Sequence, residues 1–289
     1  MPATMSLMVG LPLGRVGPGR RRRIAGLVTV ALTCLLGSAA RAGEDALRYD
    51  WRIDGAVTAA GFAFWGGTQL IESKLAATSC RWCDPASVDV SVRGALRWND
   101  TGAANLASNL GAYGVVPLAS LGLLTLDAQQ RGRLDELPGD GLVIAESVAV
   151  NGALAQLVKF ATGRERPFVN ALPAAQKPLT AHPADNNVSF YSSHTSFAFA
   201  LAVSTGTVAS MRHTRWAPAV WAAGLASAAA VGYLRIAADK HYFTDVLVGA
   251  AAGSAIGFAV PYGVHHEAGA LAVAPVPGGG AILTVTARL

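Results

Sequence analysis

Residues 216–262 read WAPAVWAAGLASAAAVGYLRIAADKHYFTDVLVGAAAGSAIGFAVPY. This stretch contains two long uncharged runs, Trp216–Leu234 and Val246–Tyr262, on either side of a short charged segment. Both runs are rich in Ala and Gly rather than Val and Ile, and both are too long for strands, so they predict helices. Their small residues would let neighbouring helices approach closely, as they do in membrane bundles.

Four further uncharged stretches predict helices of the same kind: Gly55–Ile71, Thr101–Leu126, Gly141–Val158 (interrupted only by Glu146) and Ser196–Met211. Only 14% of the residues are charged, which is low for a soluble enzyme. We therefore expect an all-α fold, a bundle of about six helices embedded in a membrane. The tail differs, because Ala270–Val276 and Ala281–Thr286 alternate like strands around a Pro-Gly turn and predict a short β-hairpin.

The amino terminus resembles an export signal. Arg20–Arg23 form a positive segment, Ile24–Gly37 form an apolar segment, and Ala40-Arg41-Ala42 places small residues where a signal peptidase would cleave. The apolar segment is short for a membrane span, which favours a cleaved signal peptide at residues 1–42. An uncleaved signal anchor is the alternative, and a twin-arginine export route stays open.

Charge and cysteine content narrow the function classes further. Residues 1–42 hold six of the 23 basic residues and none of the 18 acidic ones, so the net charge of +5 belongs to the targeting segment. The rest of the chain has no basic excess that would predict a nucleic-acid partner. Cys80 and Cys83 could suggest redox chemistry or half a zinc site, but no second pair completes four ligands. Export implies an oxidising compartment, so we expect a structural disulfide between them.

Three clusters of polar residues lie where predicted helices end or begin. Lys159 and Arg166-Pro167 close the third predicted helix, Ser192-Ser193-His194 open the fourth, and Arg235, His241 and Asp245 lie between the last two. Lysine and arginine supply positive charge, and the arginine fork matches phosphate oxygens. Ser192 and the Ser193 backbone at a helix start favour an anion, so together these residues predict a phosphate-binding site.

The two histidines of these clusters suit acid–base and nucleophilic chemistry. His241 and Asp245 are four residues apart and would share one face of a helix. A carboxylate on one imidazole nitrogen would fix the tautomer and leave the other nitrogen to attack. His194 would protonate the leaving oxygen. This chemistry requires no metal and no cofactor.

In order and internal spacing, these clusters resemble the signature of the type 2 phosphatidic acid phosphatase (PAP2) and vanadium haloperoxidase superfamily, which reads Lys-x6-Arg-Pro, Pro-Ser-Gly-His and Ser-Arg-x5-His-x3-Asp. The wider resemblance covers about residues 50–262 and implies a helical bundle with the motifs at one end. It also implies that Lys159, Arg166, Arg235, Ser192 and Ser193 bind phosphate. The implied catalytic residues are His241 as the nucleophile, Asp245 as its support and His194 as the general acid. Three positions depart from the signature: Tyr191 replaces Pro, Ser193 replaces Gly and Leu234 replaces Ser.

The resemblance implies a phosphatase that acts on a lipid phosphate or diphosphate through a phosphohistidine intermediate. A soluble periplasmic acid phosphatase, a vanadate-dependent haloperoxidase and a catalytically vestigial membrane protein are the alternatives. We expect an inner-membrane protein of the bacterial type with its site facing the periplasm, or else a soluble periplasmic protein. The predicted organisation is a signal peptide (1–42), an amino-terminal helix with the disulfide loop (43–100), a PAP2-type catalytic bundle (101–262) and a tail (263–289).

Overall fold

The structure, a computed structural model, describes residues 4–9, 47–266, 269–275 and 281–288. Within these ranges eight helices have ten or more residues: α1 Ile53–Leu70, α2 Ser87–Leu96, α3 Thr101–Leu110, α4 Val116–Arg131, α5 Leu137–Thr162, α6 Ser193–Met211, α7 Ala217–Ala237 and α8 Phe243–Phe258. Single helical turns form at Glu72–Leu75 and Pro167–Asn170. Short 3-10 turns form at Leu134–Glu136, Ala174–Leu179 and Pro183–Asn187. A π-turn joins α3 to α4 at Gly111–Val115, and another follows α8 at Ala259–Val264.

Helix α6 lies at the centre of the bundle and packs against α5, α7 and α8. The contact with α8 is a backbone approach that only glycine permits. A Cβ atom at Gly253 would lie 2.2 Å from the carbonyl oxygen of Ser196, and one at Gly257 would lie 2.6 Å from that of Ala200. The small residues of the last uncharged run therefore bring α8 against α6, as the sequence predicted.

Helix α5 begins earlier than we expected. The charged residues of segment 127–140 and its Pro138-Gly139 pair predict a polar connector that ends in a turn, but α5 already begins at Leu137. A proline in the first turn costs no intrahelical hydrogen bond, because the first N–H groups of a helix have no partner within it. Helix α4 is likewise longer than the uncharged run, because Arg131 and Asp127 pair one turn apart at 2.7 Å.

Four helical segments of the described chain are long and apolar enough to cross a membrane: Thr101–Arg131, Leu134–Thr162, Ala217–Ala237 and Phe243–Val264. Large apolar side chains also point outward from α3 and α4, with Leu106 60% exposed and Leu118 73% exposed. A soluble protein would gain by burying such side chains, whereas lipid accommodates them. The fold is thus the expected all-α, membrane-embedded bundle.

Two compact units divide the chain. Residues Leu47–Glu267 form the helical unit, and the strands belong to a second unit made of Met1–Ala46 and Ala268–Leu289. In the second unit, β2 (Gly269–Pro275) pairs antiparallel with β3 (Ala281–Arg288), as the alternating tail predicted. Strand β1 (Thr4–Val9) also pairs with β3, which we did not expect from the predicted signal peptide. The basic and apolar segments of that peptide, its cleavage site and Cys34 lie outside the described residues.

Candidate active site

A cavity of about 270 Å³ lies at the end of the bundle where α5 and α7 terminate and α6 begins. Six of the residues predicted from the motifs line it: Lys159, Arg166, Ser193, His194, Arg235 and His241. Residues that are 82 positions apart in the chain, from Lys159 to His241, thus surround one space. A wider groove of about 950 Å³ adjoins the cavity and shares Gln69, Glu72 and Asp185 with it.

His241 lies before α8 and not on it, because the helix begins at Phe243. The expected sharing of a helix face with Asp245 is therefore wrong in its geometry. After α7 ends at Ala237, Asp239 adopts a left-handed backbone (φ 58°), which Asp tolerates better than most residues, and the salt bridge from Arg93 to Asp239 (2.6 Å) anchors this turn. This turn places His241 in the cavity.

The imidazole of His241 is oriented by a backbone carbonyl. Its Nδ1 lies 2.8 Å from the carbonyl oxygen of Ser189, to which it donates, so Nε2 carries the lone pair. That Nε2 lies 3.2 Å from Nη1 of Arg166 and lines the cavity. Burial lowers the pKa of His241 well below its ordinary value, and the charges of Arg166 and Lys159 lower it further. The imidazole is therefore neutral and can act as a nucleophile near neutral pH.

Asp245 supports His241 indirectly, through Ser189. Its Oδ2 is 3.6 Å from the Nδ1 of His241, beyond a hydrogen bond. The same oxygen accepts the hydroxyl of Ser189 at 2.6 Å and, at 2.9 Å, the backbone N–H of Tyr242, the N-cap residue of α8. Asp245 therefore holds both Ser189 and the backbone of Tyr242, which follows His241. Ser189 links the carboxylate of Asp245 to the imidazole of His241.

Arg164, which the sequence analysis missed, holds Asp245 in place. Its guanidinium donates to Asp245 at 2.5 Å and to Asp89 of α2 at 2.7 Å, and it is 1% exposed. The ring of Trp82 covers it, with the guanidinium carbon 3.9 Å from the ring centroid. Trp82 lies between Cys80 and Cys83, which form a disulfide, and this loop pairs with Arg164 through an isolated β-bridge. Arg164 lies within the Lys159–Arg166 motif, and that position is the sequence feature from which its role could have been predicted.

The three predicted phosphate-binding cations are buried together, but their donors are committed to different degrees. Arg166 gives most of its N–H groups to the protein: to the carbonyls of Asp185 and Lys240, to the Asp185 carboxylate, and to His241. Lys159 donates to the carbonyl of Val188. Arg235 donates through Nη1 to Asn105 and Ser108, while its buried Nε has no partner among the described residues.

The two serines at the start of α6 differ in position. Ser192 is the N-cap of α6, and its hydroxyl accepts the backbone N–H of Thr195 and does not line the cavity. Ser193 lines the cavity, and its buried hydroxyl has no hydrogen-bond partner within the described part of the chain. Its backbone φ is not positive, so the motif glycine is not required for conformation here. Tyr191 and Leu234, the other two departures, do not line the cavity.

His194 faces residues of α3 that the motifs do not include. Its Nε2 lies 2.8 Å from the side-chain oxygen of Asn109. The centroid of its imidazole ring lies 4.9 Å from that of the Tyr113 ring. Burial lowers the pKa of His194 well below its ordinary value, and Arg235 and Lys159 lower it further. Asn105 and Asn109 are four residues apart on α3 within an otherwise apolar sequence, which is the signal that could have found them.

Two carboxylates at the rim balance the cations. Asp185 lies in the long Pro- and Asn-rich loop of residues 167–188, whose length predicts a substrate-facing role. It pairs with Arg166 and lies 4.0 Å from Lys240. Burial would raise the pKa of Asp185, but Arg166 and Lys159 outweigh it, so this carboxylate stays ionised. Glu72 lines both the cavity and the groove, and burial together with Asp185 raises its pKa. The interior is cationic and its free groups are donors, so the cavity fits an oxyanion rather than a metal ion.

The profile of the PAP2 superfamily matches residues 140–267. This part of the chain belongs to the PAP2 superfamily. The PAP2 region carries all three motifs, from Lys159 to Asp245, whereas Asp89, Asn105 and Asn109 complete the site from outside it.

A curated protein, phospholipid phosphatase 2 from Bos taurus, is 32% identical to this chain over 128 residues. The alignment covers 37% of this chain and 45% of the relative, so the chain spans less than half of the relative's length. No solved structure matches the chain.

Proposed function

We propose that the protein hydrolyses lipid phosphate monoesters or diphosphates through a phosphohistidine at His241. One observation carries this proposal: three cations, Lys159, Arg166 and Arg235, line one cavity together with His241. Cations buried side by side are costly unless an anion compensates them, and a phosphate would supply that negative charge. The Nε2 of His241 is unprotonated and lies 3.2 Å from Nη1 of Arg166.

The mechanism follows from the positions of the two histidines. Nε2 of His241 attacks phosphorus, the bond from phosphorus to the leaving oxygen breaks, and His194 gives that oxygen a proton. Water then attacks the phosphohistidine, returns a proton to His194 and releases phosphate. The negative charge of a bound phosphate would raise the pKa of His194, which burial and Arg235 hold low without it, and would thereby make it an effective acid.

A lipid substrate is supported by where the cavity lies. Lys159 and Arg235 sit in the last turns of two candidate membrane spans, Leu134–Thr162 and Ala217–Ala237, so the cavity opens at one membrane face. A lipid headgroup would reach it there without leaving the bilayer. The adjoining groove would take the polar part of the molecule, and the name of the bovine relative, phospholipid phosphatase 2, points to the same substrate class.

We infer that this face is the periplasmic one. The disulfide of Cys80 and Cys83 lies on the same side as the cavity, since its loop pairs with Arg164, and disulfides persist in an oxidising compartment. The basic residues of the opposite end, Arg131, Arg133, Arg212 and Arg215, would then face the cytoplasm, as the positive-inside rule favours.

Phosphate release from the detergent-solubilised full chain tests the proposal. Wild type, His241→Ala and the matched control His266→Ala are assayed on paired lipid and water-soluble phosphate esters. We expect turnover of the lipids by wild type and the control, and a loss of at least about 10³-fold in His241→Ala. Turnover of soluble esters alone would indicate an acid phosphatase. Equal, slow release by wild type and His241→Ala would show that the site is not catalytic.

A further inference from the structure

A second cluster of titratable side chains lies within the bundle, away from the cavity. Asp54 at the start of α1, Glu146 in the middle of α5 and His265 just after the last helical turn bring their ligand atoms within 4.8 Å of one another. His265 is 2%, Glu146 6% and Asp54 9% exposed. Glu146 precedes Lys159 by 13 residues on the same helix, so this cluster is about 20 Å from the phosphate site.

The hydrogen bonds of His265 resemble those of a metal-bound histidine. Its Nδ1 lies 2.7 Å from the carbonyl oxygen of Arg48, to which it donates, and this contact fixes the ring. Its Nε2 lies 3.0 Å from a carboxylate oxygen of Glu146. Metal-ligating histidines usually donate one ring N–H to a carbonyl or carboxylate and bind the ion with the other nitrogen. With Nδ1 protonated, a lone pair on Nε2 would face the carboxylate, so a cation or a second proton must lie between them.

The charge of the cluster favours a divalent ion over a proton. The Nε2 of His265 lies 3.0 Å from Glu146, and its Nδ1 lies 3.9 Å from Asp54. Asp54 also accepts the backbone N–H of Asp50 at 2.6 Å and lies in the first turn of α1, which favours its negative charge. A protonated imidazole would still carry one positive charge against two carboxylates. A divalent cation with a neutral imidazole and two carboxylates is electrically neutral.

A buried hydroxyl one helical turn from Asp54 adds a second observation. The Oγ1 of Thr58 is buried and has no hydrogen-bond partner in the described part of the structure. Thr58 follows Asp54 by one helical turn on the buried side of α1, which packs along α5. Buried polar groups without partners are rare in native proteins, and a ligand water of a bound ion would satisfy this one.

We propose that Asp54, Glu146 and His265 form a structural binding site for a divalent first-row transition ion, with Zn²⁺ the best match. One imidazole nitrogen and two carboxylate oxygens are ordinary zinc ligands, and a water completes the tetrahedron. Ligand atoms of such a site are about 3.4 Å apart, so the cluster closes by about an ångström around the ion. The ion would join the start of α1, the middle of α5 and the segment that follows the last helix.

Direct metal binding tests this site without relying on phosphatase activity. The full chain is purified in detergent, stripped with a chelator, and titrated with Zn²⁺ by calorimetry and with Co²⁺ by its visible absorption. We expect one ion per chain, a Co²⁺ spectrum typical of four-coordinate geometry, and a higher Tm with Zn²⁺. His265→Ala and the nearly isosteric Glu146→Gln should each weaken binding by at least about 100-fold.

Matched variants separate this site from other histidines. His266→Ala changes the neighbouring residue and His241→Ala removes the histidine of the cavity, and both should retain stoichiometric binding. The proposal fails if Glu146→Gln and Asp54→Asn bind Zn²⁺ as the wild type does. It also fails if the wild type does not bind Zn²⁺ stoichiometrically, and His265 is then a protonated ion-pair partner.

Discussion

The guanidinium of Arg164 donates a hydrogen bond of 2.5 Å to the carboxylate of Asp245, and both side chains are 1% exposed or less. This pair connects α2 to the surroundings of His241, because Arg164 also binds Asp89 and Asp245 also binds Ser189. The orientation of His241 thus depends on a buried ion-pair network and not on a direct carboxylate–imidazole bond.

Removing Arg164 should destabilise the protein strongly. Arg164→Leu leaves Asp89 and Asp245 buried without their cation, which typically costs about 3–5 kcal/mol of unfolding free energy. Arg164→Lys retains the charge but loses the fork that reaches both carboxylates, so we expect partial rescue of stability and a lower kcat with KM little changed. Denaturation in detergent and steady-state kinetics measure these effects. Arg97→Ala is the control, since its pair with Asp239 is half exposed and should contribute about 1 kcal/mol or less; equal losses in both variants would contradict the prediction.

The rate should stay high well into the acidic range. Burial and the charges of Arg166 and Lys159 lower the pKa of His241 in the folded protein well below 6.5, and only its neutral form can attack. The acidic limb of the profile of kcat/KM against pH should therefore lie well below pH 6.5. Because the unfolded chain binds this proton more readily, stability should also fall as pH drops below about 6.5 towards the folded pKa. A limb at or above pH 6.5 in the free enzyme would show that His241 does not have the environment described.

Ser193 should contribute to binding although the related signature has glycine there. Ser193 lines the cavity, and its buried hydroxyl has no partner among the described residues. A rotation of this hydroxyl towards a bound phosphate would form a hydrogen bond to a charged group, which contributes about 1.5–3 kcal/mol. Ser193→Ala should therefore lower kcat/KM by about 10-fold or more without changing Tm appreciably. Ser210→Ala, at the far end of the same helix, is the comparison variant and should retain full activity. A Ser193→Ala enzyme as active as wild type would show that the hydroxyl does not reach the substrate.

Gly253 should be intolerant of any side chain. Its missing Cβ would lie 2.2 Å from the carbonyl oxygen of Ser196, which belongs to a helix backbone that cannot easily move. Gly253→Ala should force α8 away from α6 and cost about 1–3 kcal/mol or more. At Gly66 on α1 nothing lies within 4 Å of the added methyl group, so Gly66→Ala should be neutral or slightly stabilising. Comparing the thermal unfolding of the two variants tests whether close packing, rather than glycine content, is responsible.

The helices were predictable because their signal is local. Long uncharged runs rich in Ala and Gly predict helices, and five of the six runs lie largely within one helix each. The sixth, Thr101–Leu126, covers α3, the π-turn and most of α4. The ends were less predictable, because they depend on short-range compensation: Pro138 fits the first turn of α5, and Arg131 extends α4 by pairing with Asp127. The β1 strand was missed because pairing with a strand almost 280 residues away leaves no local pattern.

The candidate site was predictable only where spacing carries the chemistry. Lys159, Arg166, Ser193, His194, Arg235 and His241 come together as the motifs indicated. The partners that complete the site were not predictable, because Asp89, Asn105 and Asn109 belong to helices whose packing no motif describes. Ser192 turned out to be a helix cap, and the carbonyl of Ser189 took the role expected of the Asp245 carboxylate.

The sequence by itself determined which residue types are present for phosphate chemistry and that the chain forms apolar helices, because composition, periodicity and spacing are properties of short segments. Only the tertiary structure decided which nitrogen of His241 is free, which donors are left unpaired, and that Glu146 meets His265 and Asp54 at a second cluster. Those outcomes depend on distances of 2.5–4 Å between helices far apart in the chain, and such distances are set by how the helices pack.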